Sequence, residues 1–233
     1  MKNYNFLLKL QYSFLKKHIF SSLENISDTR ESIKDSLGIY ILEQISPKKL
    51  IKSFTSGVSK GFYIFFYSSN KNVPYRKLKL INEIANIYGI HLILFLKNVS
   101  LSIFNNNVIV INTEKTLANR IFTINSYKIS FVLPQEITNP AVAMTLNIQG
   151  IDVVFIRSSS YYEMQDFSNN ILAYALTDKN IFAPTILDKH KALLKEKNLL
   201  WLNMKDLKII KNNYLENNSS DLLRIKNKLD LLR

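Results

Sequence analysis

The apolar pattern is densest from Lys128 to Arg157, KISFVLPQEITNPAVAMTLNIQGIDVVFIR. It predicts a strand, a short helix and a second strand. Ile129 to Leu133 form a nearly continuous apolar run that stops at Pro134. Asn139-Pro140 is a helix start, an N-cap followed by Pro at the first helical position. Ala141, Val142, Met144 and Leu146 continue the helix, Gln149-Gly150 ends it, and Ile151 to Ile156 is the second apolar run. A strand apolar on both faces is covered on both sides, as in parallel sheets flanked by helices.

The same rhythm extends through the chain. Residues 2–23 place Phe6, Leu7, Leu10, Phe14, Leu15 and Ile19 at helical spacing, which predicts an amphipathic helix. Leu37 to Leu42 reads as a strand, Ser46-Pro47 opens a helix that runs to Gly57, and Phe62 to Tyr67 is a second strand. Tyr75 to Tyr88 is a helix stopped by Gly89, and His91 to Leu96 a third strand. Val108 to Ile111 fits a strand; Lys115 to Phe122 and Phe167 to Leu176 fit helices. From Thr185 onward the pattern is helical and charged. Alternating strands and helices predict an α/β fold: a doubly wound, mainly parallel sheet of flavodoxin-like type, with an N-terminal amphipathic helix and a helical C-terminal extension. The expected division is 1–36 for the N-terminal helix and loop, 37–182 for the α/β domain and 183–233 for the basic extension. Such sheets bind ligands at the carboxyl ends of their strands.

Charge changes this picture most. The 233 residues hold 31 Lys+Arg against 18 Asp+Glu, a formal net charge of +13. The surplus is segregated. Between Gln44 and Asn82 lie Lys48, Lys49, Lys52, Lys60, Lys71, Arg76, Lys77 and Lys79, with no acid. Between Glu136 and Asn180 acids outnumber bases. Those eight cations are the candidate RNA-binding residues, because clustered Lys and Arg neutralise phosphates. The competing explanation is composition: an A+T-rich genome raises Lys, Asn, Ile, Phe and Tyr together, but would spread Lys evenly.

Candidate chemistry is sparse. The chain has no Cys, which excludes disulfides, thiolate metal sites and thiol catalysis. The loop Ser68 to Arg76 contains no Gly, so it is neither a phosphate loop nor a dinucleotide fingerprint. Ser158-Ser159-Ser160 follows a strand without a nucleophile-elbow pattern. Asp152 reads as a satisfied structural acid. Glu163 and Asp166 lack metal-ligand spacing. No run approaches the ~20 apolar residues of a membrane span, and the N-terminus lacks a secretory cleavage pattern. The expectation is a non-enzymatic protein with no cofactor, no metal and no small-molecule substrate.

Several stretches resemble the small-subunit ribosomal protein S-two family in a mitochondrial form. Lys17-His18, then Gly38-Ile-Tyr-Ile-Leu-Glu43, are similar to that family's N-terminal His and first strand. Gly61 to Tyr67 followed by Ile81-Asn-Glu-Ile-Ala85 resembles its second strand and helix. Ile129 to Ile156, with Ala141-Val-Ala143 and Leu146-Asn-Ile148, resembles its last strand–helix–strand unit. The resemblance implies a structural constituent of an organelle-encoded mitochondrial small ribosomal subunit, with ribosomal RNA and neighbouring ribosomal proteins as partners. A second resemblance, carried by Phe65-Phe-Tyr67 and Ile148 to Phe155, is to a thioredoxin-like, cysteine-less conjugation or type IV secretion assembly protein. A degenerate nucleotide-binding enzyme is the third alternative.

Overall fold

The structure, a computed structural model, describes residues 36–217 apart from 105–106, 112–116, 125, 158–160, 178–179, 185–186, 188–192 and 197. The expected N-terminal helix and the end of the basic extension lie outside the described residues.

The chain is α/β, as its alternating pattern predicts, but the strands form two sheets. The larger has seven strands. Ser36–Ile41 (β1), Ile64–Ser68 (β2) and His91–Phe95 (β3) run parallel to one another. Ser100–Phe104 (β4) and Asn107–Val110 (β5) add antiparallel on one side. Leu193–Glu196 (β11) and Leu199–Asn203 (β12) form a hairpin that pairs antiparallel with β1 on the other. The smaller sheet has the order β10-β9-β8-β7-β6. Tyr127–Val132 (β7), Val153–Ile156 (β8) and Tyr174–Leu176 (β9) are parallel; Ile121–Ile124 (β6) and Ile181–Phe182 (β10) close the edges antiparallel. Crossover helices join the parallel strands: Pro47–Val58 (α1), Tyr75–Ile87 (α2), Pro140–Ile148 (α3) and Tyr161–Asn169 (α4). Met204–Asn217 is α5.

Side-chain alternation explains the layering. Successive strand residues point to opposite faces. Phe65, Leu92 and Leu94 pack with Leu50, Phe54, Ile81 and Ile84 under α1 and α2. Their neighbours Ile64, Phe66, Ile93 and Phe95 meet Ile129, Phe131, Val153 and Phe155 of the second sheet. Val132, Val154 and Ile156 face the other way, onto Ala143, Leu146, Met164 and Phe167 of α3 and α4. The result is a four-layer sandwich of helices, sheet, sheet and helices.

Three sequence expectations are corrected. The flavodoxin-like sheet, with helices on both faces, is replaced by two sheets that each use one face for helices and the other for the partner sheet. The apolar pattern is the same in both arrangements, because either cover buries the strand. The helical reading of the C-terminal segment fails at 193–203, where alternating Leu200 and Leu202 point into the core while Leu199 and Trp201 pack on the helix side. The helix read at Phe167–Leu176 is the end of α4 followed by β9.

Two glycines let the aromatic layer close. A Cβ on Gly57, in α1, would lie 2.5 Å from the Phe65 ring and 2.9 Å from Tyr40. A Cβ on Gly38, in β1, would lie 2.8 Å from Phe62 and 2.9 Å from Trp201. Those rings are already locked: Tyr40 stacks on Phe65 at 5.2 Å, and Phe54 meets Phe65 edge-on at 4.8 Å. Gly57→Ala is therefore expected to lose about 1–2 kcal/mol in urea denaturation, even though alanine is the better helix former. A more stable variant would show that the helix can lift without cost.

Candidate functional site

The two parallel trios end on the same side of the sandwich. At that crest the Arg157 guanidinium, just past β8, donates to the Lys97 carbonyl, just past β3, and so ties one sheet to the other. At the opposite end the Tyr174 hydroxyl of β9 donates to the Asn203 carbonyl at 2.9 Å. The crest is the carboxyl edge of the parallel strands, where α/β folds place their ligand sites.

Glu43 follows β1 on this crest. It is exposed and accepts a hydrogen bond from Asn198 Nδ2 at 3.1 Å. Asn198 is held in the β11–β12 turn, where its carbonyl accepts from the Ile41 amide at 2.8 Å. The late hairpin therefore positions a carboxylate that the first strand presents.

The elbow after β7 is built around a second carboxylate. The chain leaves the strand at Leu133, makes a short 3-10 turn over Pro134–Glu136 and enters α3, where Asn139 Oδ1 caps Ala141. Glu136 accepts from Arg120 twice, at 2.8 and 2.7 Å, and from the Leu133 amide at 2.9 Å. Arg120 is 1% exposed. Burial by itself would raise the Glu136 carboxyl, but these hydrogen bonds and the Arg120 charge outweigh it and hold it below the ordinary carboxylate value.

Other polar clusters serve structure. Asp152, before β8, accepts from the Lys128 amide at 2.7 Å and from Lys211 Nζ of α5 at 2.5 Å. The same ammonium donates to the Gly150 and Ile151 carbonyls behind α3. Asp152 is thus a satisfied acid at the amino edge, as read from the sequence. Burial lowers the Lys211 pKa despite Asp152. His91, the one histidine among the described residues, is buried between the sheets. Its Nε2 shares a 2.6 Å hydrogen bond with Ser102 Oγ, its ring stacks on Phe104, and Nδ1 has no partner among the described residues. Desolvation lowers its pKa to about 4. No group of three or more potential metal ligands occurs among the described residues.

The eight cations are partly brought together. Lys48 and Lys49 stand in the first turn of α1 with Lys52 one turn on; Arg76, Lys77 and Lys79 start α2, and Lys71 lies in the loop before it. α1 and α2 pack side by side, with Thr55 Oγ1 and Tyr88 Oη 2.7 Å apart. Lys60 follows α1 at its far end, about 12 Å or more along the axis from Lys52 at 1.5 Å per residue.

No protein-family model matches the chain, and no curated protein matches it in sequence. Solved structures do match in fold. The NitN amidase from Nesterenkonia sp. AN1 is 10% identical, with a TM-score of 0.51, covering 81% of this chain and 98% of that one. A cysteine-to-serine variant of the Nesterenkonia AN1 amidase, described as from the nitrilase superfamily, is 9% identical with a TM-score of 0.50, covering 83% and 98%. A double variant of the amidase in complex with acrylamide gives 11% identity and 0.51, covering 82% and 97%.

These matches overturn the ribosomal reading. The fold is that of nitrilase-superfamily amidases, so the S-two resemblance, the ribosomal role and the RNA and ribosomal partners drawn from it are corrected. The thioredoxin-like alternative falls with them. The expectations of no enzyme and no small-molecule substrate are likewise contradicted by the amidase neighbours. The resemblance rested on strand–helix alternation, which a two-sheet sandwich shares with a single doubly wound sheet.

Sequence reasoning did not select Glu43, Arg120, Glu136 or Arg157. Glu136 had a local signal, an acid two residues after the Pro that ends an apolar strand. Arg120 and Arg157 had none, because their partners lie 16 and 60 residues away.

Two outcomes follow from these geometries. Glu136→Ala strands the buried Arg120 charge and is expected to cost about 3–5 kcal/mol, whereas Arg120→Met with Glu136→Ala costs less than the single change. Chemical denaturation of both variants decides; a double variant weaker than the single one defeats this account. For His91, the unfolded chain binds a proton below pH 6.5 while the folded chain stays neutral down to about pH 4. Stability is thus full above pH 6.5 and declines by about 3 kcal/mol as pH falls through that window. His91→Phe should flatten this slope in denaturation curves collected between those pH values, and an unchanged slope assigns the acid sensitivity elsewhere.

Proposed function

We propose that the protein is a nitrilase-fold hydrolase of small carboxamides that works without a thiol nucleophile. The observation that carries the reading is the four-layer sandwich, matched across nearly the whole length of an amidase. The neighbours are described with butyramide or acrylamide bound and with an active-site cysteine. This chain has no Cys, so a covalent thioester is closed to it. Water is the nucleophile proposed here for the same bond.

Glu43 is the residue proposed to activate it. The carboxylate is exposed on the crest, and Asn198 fixes one oxygen. It takes a proton from water as the water oxygen adds to the amide carbon. The C–N bond then breaks, and the departing nitrogen takes that proton. This gives a carboxylic acid and ammonia, and the acid's proton passes to the ammonia, so the products are a carboxylate and ammonium, which balances water plus amide. Positioned general bases contribute about 10²–10⁴ in rate.

The test is ammonia release from acetamide, butyramide and acrylamide by the purified chain. Activity is expected to fall about a hundredfold or more in Glu43→Gln, with Asn198→Ala weaker in effect. Release that is absent with every amide, or unchanged in Glu43→Gln, rejects the proposal.

A further inference from the structure

We infer that the cationic end of the α1/α2 layer, formed by the first turns of both helices and the loop before α2, docks on a negatively charged lipid surface. The two helix layers of the sandwich are opposite in charge. α1 and α2 carry Lys48, Lys49, Lys52, Arg76, Lys77 and Lys79 against the single acid Glu83. α3 has no charged residue, and α4 has Glu163 and Asp166 with no cation. Among the described residues, no salt bridge engages Lys48, Lys49, Lys52, Lys71 or Lys79. Each of these five is exposed. The field therefore has a direction: an anionic plane attracts one face of the molecule and repels the other.

Three features favour a bilayer over a nucleic acid. The cations lie at the starts of two helices packed side by side over a sheet, and among the described residues no element reaches out beside them to enter a groove. The charges are nearly all Lys, compact ammonium groups suited to diffuse attraction rather than to forked recognition of bases. At the start of α2, among these cations, Tyr75 is 80% exposed. A tyrosine has an apolar ring and a polar tip, and is at home at headgroup depth. Among the described residues no helix is long and apolar enough to cross a membrane, so the contact is peripheral. Juxtaposed Lys residues add attraction to anionic lipids that fades within a Debye length.

Vesicle co-sedimentation of the full chain tests this. Phosphatidylcholine vesicles containing phosphatidylglycerol should carry the protein down at low salt, and vesicles of phosphatidylcholine should not. Replacing Lys48, Lys49, Lys52, Lys71, Lys77 and Lys79 by Gln should weaken partitioning by about 10⁴-fold at low salt, while the control Lys205→Gln with Lys208→Gln on α5 leaves it nearly unchanged. Tyr75→Ser should weaken it severalfold. Equal binding to both vesicle types, equal loss in the control, or retention of a duplex RNA with no retention of anionic vesicles would each overturn the inference.

Discussion

The contact between the two sheets is the constraint on which the rest depends. Phe66 of β2 lies against Phe95 and Phe155 at ring separations of 5.3 and 5.4 Å, and Phe131 stacks on Phe155 at 5.8 Å. Phe122 of β6 packs edge-on to Phe131. These rings cross the interface and fix how the sheets lie on one another. Burying rings of this size supplies a large hydrophobic term, and their edge and offset contacts add geometric preference. Because the aromatic layer sets the separation of the sheets, it also sets the separation of their carboxyl edges. The Arg157–Lys97 tie and the crest between Glu43 and the β7 elbow inherit their spacing from it.

Much of the local architecture was legible. The expected strands at Leu37–Leu42, Phe62–Tyr67 and His91–Leu96 fall on β1, β2 and β3, and the helices from Ser46 and Tyr75 fall on α1 and α2. The unit from Lys128 to Ile156 is β7, α3 and β8. What could not be read was the cover of each strand face. Phe65 and Phe66 are equally apolar, yet one meets helices and the other a sheet. Periodicity reports burial and leaves the identity of the burying partner open. The late hairpin was missed because Leu193, Leu194, Leu200 and Leu207 also satisfy a helical spacing, and only pairing with β1 selects the strand.

The site was less legible than the fold, for a physical reason. Catalytic candidates here are single charged residues at strand ends, and their significance comes from the crest they share. Glu43 is one carboxylate among eighteen acids until Asn198, 155 residues later, is placed beside it. The basic residues, by contrast, advertised themselves through density. Their segregation is visible in the sequence itself. The α1/α2 pairing places most of that charge on one layer, and Lys60 shows that closeness in sequence does not guarantee a place in the cluster.

The pairing of β1 with β12 has a consequence for how the chain reaches this state. Ser36 lies opposite Asn203 and Tyr40 opposite Leu199, so the first strand waits for nearly the last described one. During synthesis its outer edge stays open, with unpaired backbone groups available to any passing strand. Contacts this distant in sequence also slow folding, because the entropy of closing the intervening loop comes due before the contact forms. The protein is therefore most vulnerable to misassociation in the interval before β12 arrives, and the covering of that edge is a late, committing event in its assembly.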